Sequence, residues 1–245
     1  MIVNMRCFSE SLSVTLFCIM HCFFRSQLKR EGPLPTRTTT AEPNAEERNI
    51  VRDQDDGSKI MKAVLIGDGS VGKTSIRRNY LGEDFIEGHL ATIGVDLATK
   101  RVLFEQDIVK FIIWDLAGQP TFEKVRGHYY SGCNGILLVY SVVDRSSFDN
   151  ASKWLVEAYK NMGPLPPTVI IGNKIDLRQS LDQKKYVTPE EGQAFTEYFI
   201  KKLEVPAIFR ETSAKTGANI QDTFHELLRM MSEAQNGKEN DFYMP

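Results

Sequence analysis

Residues 60–75 read Ile60-Met61-Lys62-Ala63-Val64-Leu65-Ile66-Gly67-Asp68-Gly69-Ser70-Val71-Gly72-Lys73-Thr74-Ser75. An apolar run stops at Gly67, and Gly67, Gly72, Lys73 and Thr74 then fall at the spacing Gly-x-x-x-x-Gly-Lys-Ser/Thr. Average residue frequencies produce that spacing by chance in roughly one chain of this size in a hundred. Its setting, after a strand-like run and before a helix-compatible segment, is the one the motif requires. The glycines let backbone N–H groups turn inward around phosphate oxygens, and the helix that follows points its positive end at them. Lys73 then reaches the β- and γ-phosphates, and the Thr74 hydroxyl is a ligand for Mg²⁺. Asp68, Gly69, Ser70, Val71 and Ser75 complete the phosphate-binding stretch.

Outward from this loop, short apolar runs recur at Val95–Phe104, Ile108–Trp114, Ile136–Tyr140, Val169–Ile171 and Ala207–Phe209, and read as strands. Between them lie stripes at helical spacing, among them Ala194, Phe195, Tyr198, Phe199 and Leu203, and Ile220, Phe224, Leu227, Leu228 and Met231. Continuous apolar strands alternating with amphipathic helices predict an α/β domain of the P-loop NTPase type. Its six-stranded, mostly parallel sheet carries helices on both faces, with ligand loops at the strands' carboxyl ends.

A phosphate loop serves adenine and guanine nucleotides equally, so the base is read elsewhere. Asn173-Lys174-Ile175-Asp176 follows the run ending at Ile171-Gly172 and emerges on the same sheet edge as the loop. A carboxylate at Asp176 accepts from guanine N1–H and the exocyclic amine, whereas adenine leaves it unpaired and desolvated. Ser213-Ala214-Lys215 stands after the last strand, Asp115-Leu116-Ala117-Gly118-Gln119 after the third, and Thr92 between the first two.

These five motifs, in this order between Lys59 and about Gln235, resemble the Ras superfamily of small GTPases, and most closely the Rab family. The Rab likeness rests on Ile93-Gly94-Val95-Asp96, on Trp114-Asp115 with Ala117-Gly118-Gln119, and on Tyr129-Tyr130 with Gly132. It implies a switch that binds GTP and GDP with Mg²⁺, slowly hydrolyses GTP, and acts in signal transduction or vesicle trafficking. By the same resemblance Thr92 is the switch I threonine that reaches Mg²⁺ and senses the γ-phosphate. Asp115 holds Mg²⁺ through water, Gly118 meets the γ-phosphate by its N–H, and Gln119 orients the attacking water, with Gly69 leaving space beside it. Phe85 packs against guanine and the Ala214 N–H meets guanine O6, beside Lys215. The catalytic set is thus Gln119, Lys73 and Thr92, and the metal set Thr74, Thr92 and Asp115. No arginine has an evident place in cis, so an activating protein, an exchange factor and effectors are the implied partners. Trp114 and Tyr129 read equally as part of the effector surface and as partly buried aromatics at a sheet edge.

Three positions depart from the Rab pattern. Leu97 stands where an aromatic is usual, which bears on partner recognition. Pro120 replaces an acidic residue and bears on the mobility of switch II, and Ser70 replaces a frequent glycine. A GTP-locked scaffold with little turnover is the alternative function; a P-loop kinase or ATPase is a further one, opposed by Asp176. His21, His89, His128 and His225 form no ligand cluster. A net charge of -2 gives no case for nucleic acid, and four cysteines without paired spacing give none for disulfides or zinc, which points to the cytoplasm.

Residues 1–58 fall outside this domain. Leu12 to Phe24 is an apolar run of 13 residues beside Cys7, Cys18 and Cys22, short of the roughly 20 needed to span a bilayer and without a signal-cleavage pattern. It reads as an anchor aided by cysteine acylation, as a weak targeting signal, or as upstream sequence joined ahead of a natural start at Met61, the last being preferred. Gly32 to Ser58 is a polar linker. Residues 236–245 read as a disordered tail. Asp241 to Pro245 offers no cysteine for prenylation, so peripheral membrane attachment falls to the N-terminal segment or to a partner.

Overall fold

In the computed structural model the sheet is ordered β2-β3-β1-β4-β5-β6, and its strands are β1 (Lys59–Ile66), β2 (Val95–Phe104), β3 (Asp107–Leu116), β4 (Gly135–Ser141), β5 (Thr168–Asn173) and β6 (Ala207–Thr212). Residues 58–86, 92–180 and 186–242 are described. The chain divides into two units, Met1–Gly57 and Ser58–Pro245, and all described residues lie in the second; the expected apolar segment and linker, with His21, lie outside them, as do His89 and Ala91.

Only the β2–β3 pair is antiparallel; β3, β1, β4, β5 and β6 run parallel. The helices are α1 (Lys73–Leu81), α2 (Glu123–Arg126), α3 (Arg145–Asp149), α4 (Ala151–Met162), α5 (Pro189–Leu203) and α6 (Ile220–Phe242). The order turns around β1, which has β3 on one side and β4 on the other. A crevice is expected at the carboxyl end of the strand where the order turns, and the phosphate-loop sequence begins there.

Both faces of the central strands are buried, which explains why β1, β4 and β5 read as unbroken apolar runs. Met61, Ala63 and Leu65 of β1 and Leu137 and Val139 of β4 share one core with Ile76 and Tyr80 of α1 and Phe224, Leu227, Leu228 and Met231 of α6. Tyr80 stacks on Phe224 with ring centroids 3.8 Å apart, and Phe111 meets both rings edge-on. Across the sheet, Tyr140, Phe148 and Phe195 form an edge-to-face row. The amphipathic stripe of α6 is therefore core, as the 3.6-residue spacing predicts. That helix runs on to Phe242, through residues expected to be a disordered tail from 236; up to Phe242 the stretch holds one glycine, no proline and two good helix formers, Lys238 and Glu239. Among the described residues, no helix is long and apolar enough to cross a membrane.

Candidate nucleotide and metal site

The end of β1 and the start of α1 show how local sequence builds an anion site. Gly72 takes φ 100°, a left-handed conformation natural only to glycine, and a Cβ there would fall 2.3 Å from the Asn173 amide nitrogen. Helix α1 has no side-chain cap and no acidic residue in its first turn. Helix α5 is the contrast: Thr188 and Glu191 form a reciprocal capping box, with Pro189 in the first turn. The first N–H groups of α1 thus face the loop with no protein carboxylate competing for them.

Lys73 is buried and donates to the carbonyls of Gly67 and Asp68, both at 2.7 Å. Burial pushes its ammonium down to about 8, against the opposing pull of the Asp115 and Asp68 carboxylates. Asp68 contributes its backbone to the loop, while its carboxylate accepts from Trp154 Nε1–H at 2.7 Å and from the Asn150 amide at 2.8 Å.

Three hydroxyl and carboxylate groups from separate segments meet beside Lys73. The Thr74 hydroxyl donates to Asp115 Oδ2, and Thr74 Oγ1 lies 2.8 Å from Thr92 Oγ1; with the Thr74 proton committed, Thr92 is the donor of that second bond. Asp115 is fully buried, its other oxygen, Oδ1, has no hydrogen-bond partner, and burial pushes its carboxyl up, opposed by the Thr74 hydroxyl and the Lys73 and Arg77 charges. A buried carboxylate oxygen without a donor is costly unless a cation compensates it. The oxygen-only donor set suits Mg²⁺, so the residues expected to hold the metal fit it.

Gly118 follows directly, and a Cβ on it would lie 2.4 Å from the Asp68 carbonyl carbon and 2.5 Å from the Gly69 nitrogen. Only glycine allows the segment after β3 to lie against the phosphate loop. Gln119 is next, half-buried, and Pro120 opens a 3-10 turn over Pro120–Phe122. Proline suits that first position because its missing N–H is needed by no partner there.

The base-reading motifs converge on a cavity of about 350 Å³, lined by Ser70, Gly72, Ser75, Phe85, Lys174, Asp176, Ala214 and Lys215, with Asn173, a volume in the range of small-molecule sites. Asn173 is buried and works as a tie: its amide donates to the Val71 carbonyl at 2.9 Å, and its Oδ1 accepts from Thr212 Oγ1 and the Ala214 N–H, each at 3.1 Å. The Ser213 hydroxyl donates to Asp176 Oδ1 at 2.6 Å, which orients the carboxylate. Burial lowers the Lys174 ammonium, against the Asp144 and Asp176 charges. Ile86 and Leu177 also line the cavity, and no motif pointed to them. Sequence reading also missed Asn150, Trp154, Arg126 and Glu157, whose pairings join residues far apart in the chain and carry no spacing signal.

Trp114 and Tyr129 meet with ring centroids 4.9 Å apart, both half-buried, and Leu97 pairs with Trp114 across β2 and β3. The sequence matches the Ras family over residues 62–233. It is 35% identical to the Ras-related protein RABA1b of Arabidopsis thaliana over 77% of this chain and 82% of that protein. It is 37% identical to the Ras-related protein Rab11D of Lotus japonicus over 72% and 77%, and 33% identical to the GTP-binding protein ypt2 of Schizosaccharomyces pombe over 75% and 86%. With the sheet order and the phosphate loop already in place, these matches make the chain a member of the Ras family, a GTP-hydrolysing small GTPase close to the Rab proteins.

Proposed function

We propose that this GTPase binds GTP and GDP with Mg²⁺, turns GTP over slowly, and signals through switch I around Thr92 and switch II around Gln119. The observation that carries the reading is the meeting of Thr74, Thr92 and Asp115 at one point beside Lys73. These groups come from α1, from the chain before β2 and from β3; strand pairing brings the three segments to one sheet edge, and there their side-chain oxygens meet.

Lys73 and the loop N–H groups bind the phosphates and stabilise charge on the oxygens as the terminal bond breaks. Thr74, Thr92 and Asp115 would hold the metal, which would supply positive charge to the phosphates. Gln119 and Thr92 orient water in line with the leaving oxygen. Gly118 offers its N–H to the γ-phosphate, so both switches sense the same group and relax on its loss. Asp176, aimed by Ser213, selects guanine, with Phe85, Lys174, Ala214 and Lys215 around the base. Phosphoryl transfer here rests on positioning, and an arginine from an activating protein supplies about 10³–10⁵ in rate. Leu97, Trp114 and Tyr129 form the surface that effectors read, with an exchange factor and an activating protein as further partners.

The test is single-turnover GTP hydrolysis with Mg²⁺ by the full chain and by Gln119→Leu, after competition of GTP, GDP and ATP. Slow hydrolysis abolished by the substitution supports the switch. Tight GTP binding with equal, negligible hydrolysis in both points to a GTP-locked scaffold, and ATP binding as well as GTP removes the role given to Asp176.

A further inference from the structure

Arg126, at the end of α2, is 2% exposed although the residues just before it are exposed. Its Nη1 donates to the carbonyls of Ala117 at 3.0 Å and Gln119 at 2.8 Å, the two that flank Gly118. Its Nε and Nη2 donate to the two oxygens of Glu157 on α4, each at 2.7 Å, and the Tyr130 hydroxyl donates to Glu157 Oε1 at 2.9 Å. The guanidinium lies 4.5 Å from the centroid of the Trp154 ring. The Trp154 N–H then reaches Asp68 in the phosphate loop.

One chain of contacts therefore runs from the Gln119 carbonyl through Arg126 and Trp154 to Asp68, joining the segment after β3 to the loop after β1. The Ala117 carbonyl has Arg126 as its donor, and the half-buried Gln119 carbonyl accepts from Arg126 beside the Phe122 N–H at 3.2 Å; carbonyls withdrawn from water need such donors. A planar guanidinium fixed by a bidentate carboxylate supplies them in a set geometry, which an ammonium on a flexible stem does not. A buried charge is costly unless paired, and four N–H bonds, two of them to the Glu157 carboxylate, pair this one.

We infer that Arg126, held by Glu157 and Trp154, is a positioning residue for Gln119. It fixes the backbone from which the glutamine side chain reaches water, and references that backbone to the phosphate loop through Asp68. The guanidinium is thereby committed to carbonyls and a carboxylate, so it orients Gln119 without acting as the arginine of catalysis. The inference rests on the reading of Gln119 as the residue that orients water.

The experiment compares the full-length protein with Arg126→Lys, Glu157→Gln and Gln119→Leu, well below their melting temperatures, measuring single-turnover GTP hydrolysis and the rate of GDP release. Arg126→Lys keeps the charge but loses the fork; Glu157→Gln keeps the shape but sets an amide N–H against the guanidinium. Both are expected to slow hydrolysis about 10- to 100-fold, as a displacement of about 1 Å does, with GDP release unchanged. Should Arg126→Lys fail to fold, Glu157→Gln carries the test alone. Wild-type hydrolysis in the folded variants, with Gln119→Leu inactive, overturns the inference and leaves Gln119 its role. Equal losses in hydrolysis and in GDP retention mean a purely structural part and also overturn it. Wild-type hydrolysis by Gln119→Leu removes the underlying reading, and the inference with it.

Discussion

Asn173 Oδ1 accepts the Ala214 N–H at 3.1 Å while the same side chain donates to the Val71 carbonyl at 2.9 Å, so one amide joins the loops after β5, β6 and β1. On the proposed reading phosphates and base are gripped by different loops, which Asn173 ties together. Replacing it by alanine strands a buried N–H and a buried carbonyl, each at about 1–3 kcal/mol. Asn173→Ala should speed GDP release by at least about tenfold and lower the melting temperature, as read by fluorescent-nucleotide chase and thermal unfolding.

The Thr74 hydroxyl bridges Asp115 and Thr92. Thr74→Ala removes a proposed metal ligand and leaves Asp115 with a second unpaired oxygen. Chelation of Mg²⁺ should accelerate GDP release from the wild-type protein, whereas Thr74→Ala should release GDP fast with or without Mg²⁺. A titration of release rate against free Mg²⁺ measures both.

Ser213 fixes one oxygen of Asp176. Asp176→Ala should cut the preference for GTP over ATP by about 100-fold or more, because a site built to accept hydrogen bonds discriminates strongly by leaving them unmet. Ser213→Ala, which only loosens the carboxylate, should cost about tenfold, close to the worth of one hydrogen bond to a charged group. Competition binding against a labelled GDP ranks the two.

A methyl group at Gly118 collides with the backbone at Asp68 and Gly69, 2.4 and 2.5 Å away. Flexible side chains relieve clashes cheaply; backbone does not. Gly118→Ala should therefore bind GDP nearly normally, yet hydrolyse GTP more slowly by about 10-fold or more, since the water-orienting segment no longer reaches its place. Single-turnover hydrolysis beside GDP affinity separates the two effects.

Burial pushes the Tyr80 phenol up to about 12 from its usual 10. The folded state keeps the proton where the unfolded chain loses it, so this contribution is complete below pH 10 and lost as pH rises towards 12. Tyr80→Phe, which keeps the stack on Phe224, should flatten the decline of the denaturant midpoint across that window.

Local signals made most of the fold readable and gathered the candidate site residues into a few short stretches. The glycine spacing of the phosphate loop, the Asn-Lys-x-Asp run and the Asp115-to-Gln119 stretch each lie in a few consecutive residues, because one tight loop after a strand carries each group of side chains and N–H groups. The strand runs were equally plain, since both faces of the central sheet are buried. Pairings formed only by folding were not readable. Arg126 and Glu157 are 31 residues apart, and no periodicity marks a buried ion pair at that distance. Nothing in the sequence marked the pairing of the Asp68 carboxylate with Asn150 and Trp154. Helix α6 continued to Phe242 because polar composition alone is compatible with helix as well as with coil.

The missing cap of α1 bears on how the protein survives in a cell. Where α5 completes its own first turn with Thr188 and Glu191, α1 has no side-chain cap, and on the proposed reading that task falls to the nucleotide, which is then as much a structural part as a message. Free energy from binding adds to the fold by mass action, about 4 kcal/mol at a thousandfold excess over the dissociation constant. The moment of exchange, when one nucleotide has left and the next has not arrived, is then the moment of greatest fragility. A partner that empties the site must also shelter what it has opened, acting for that interval as a chaperone.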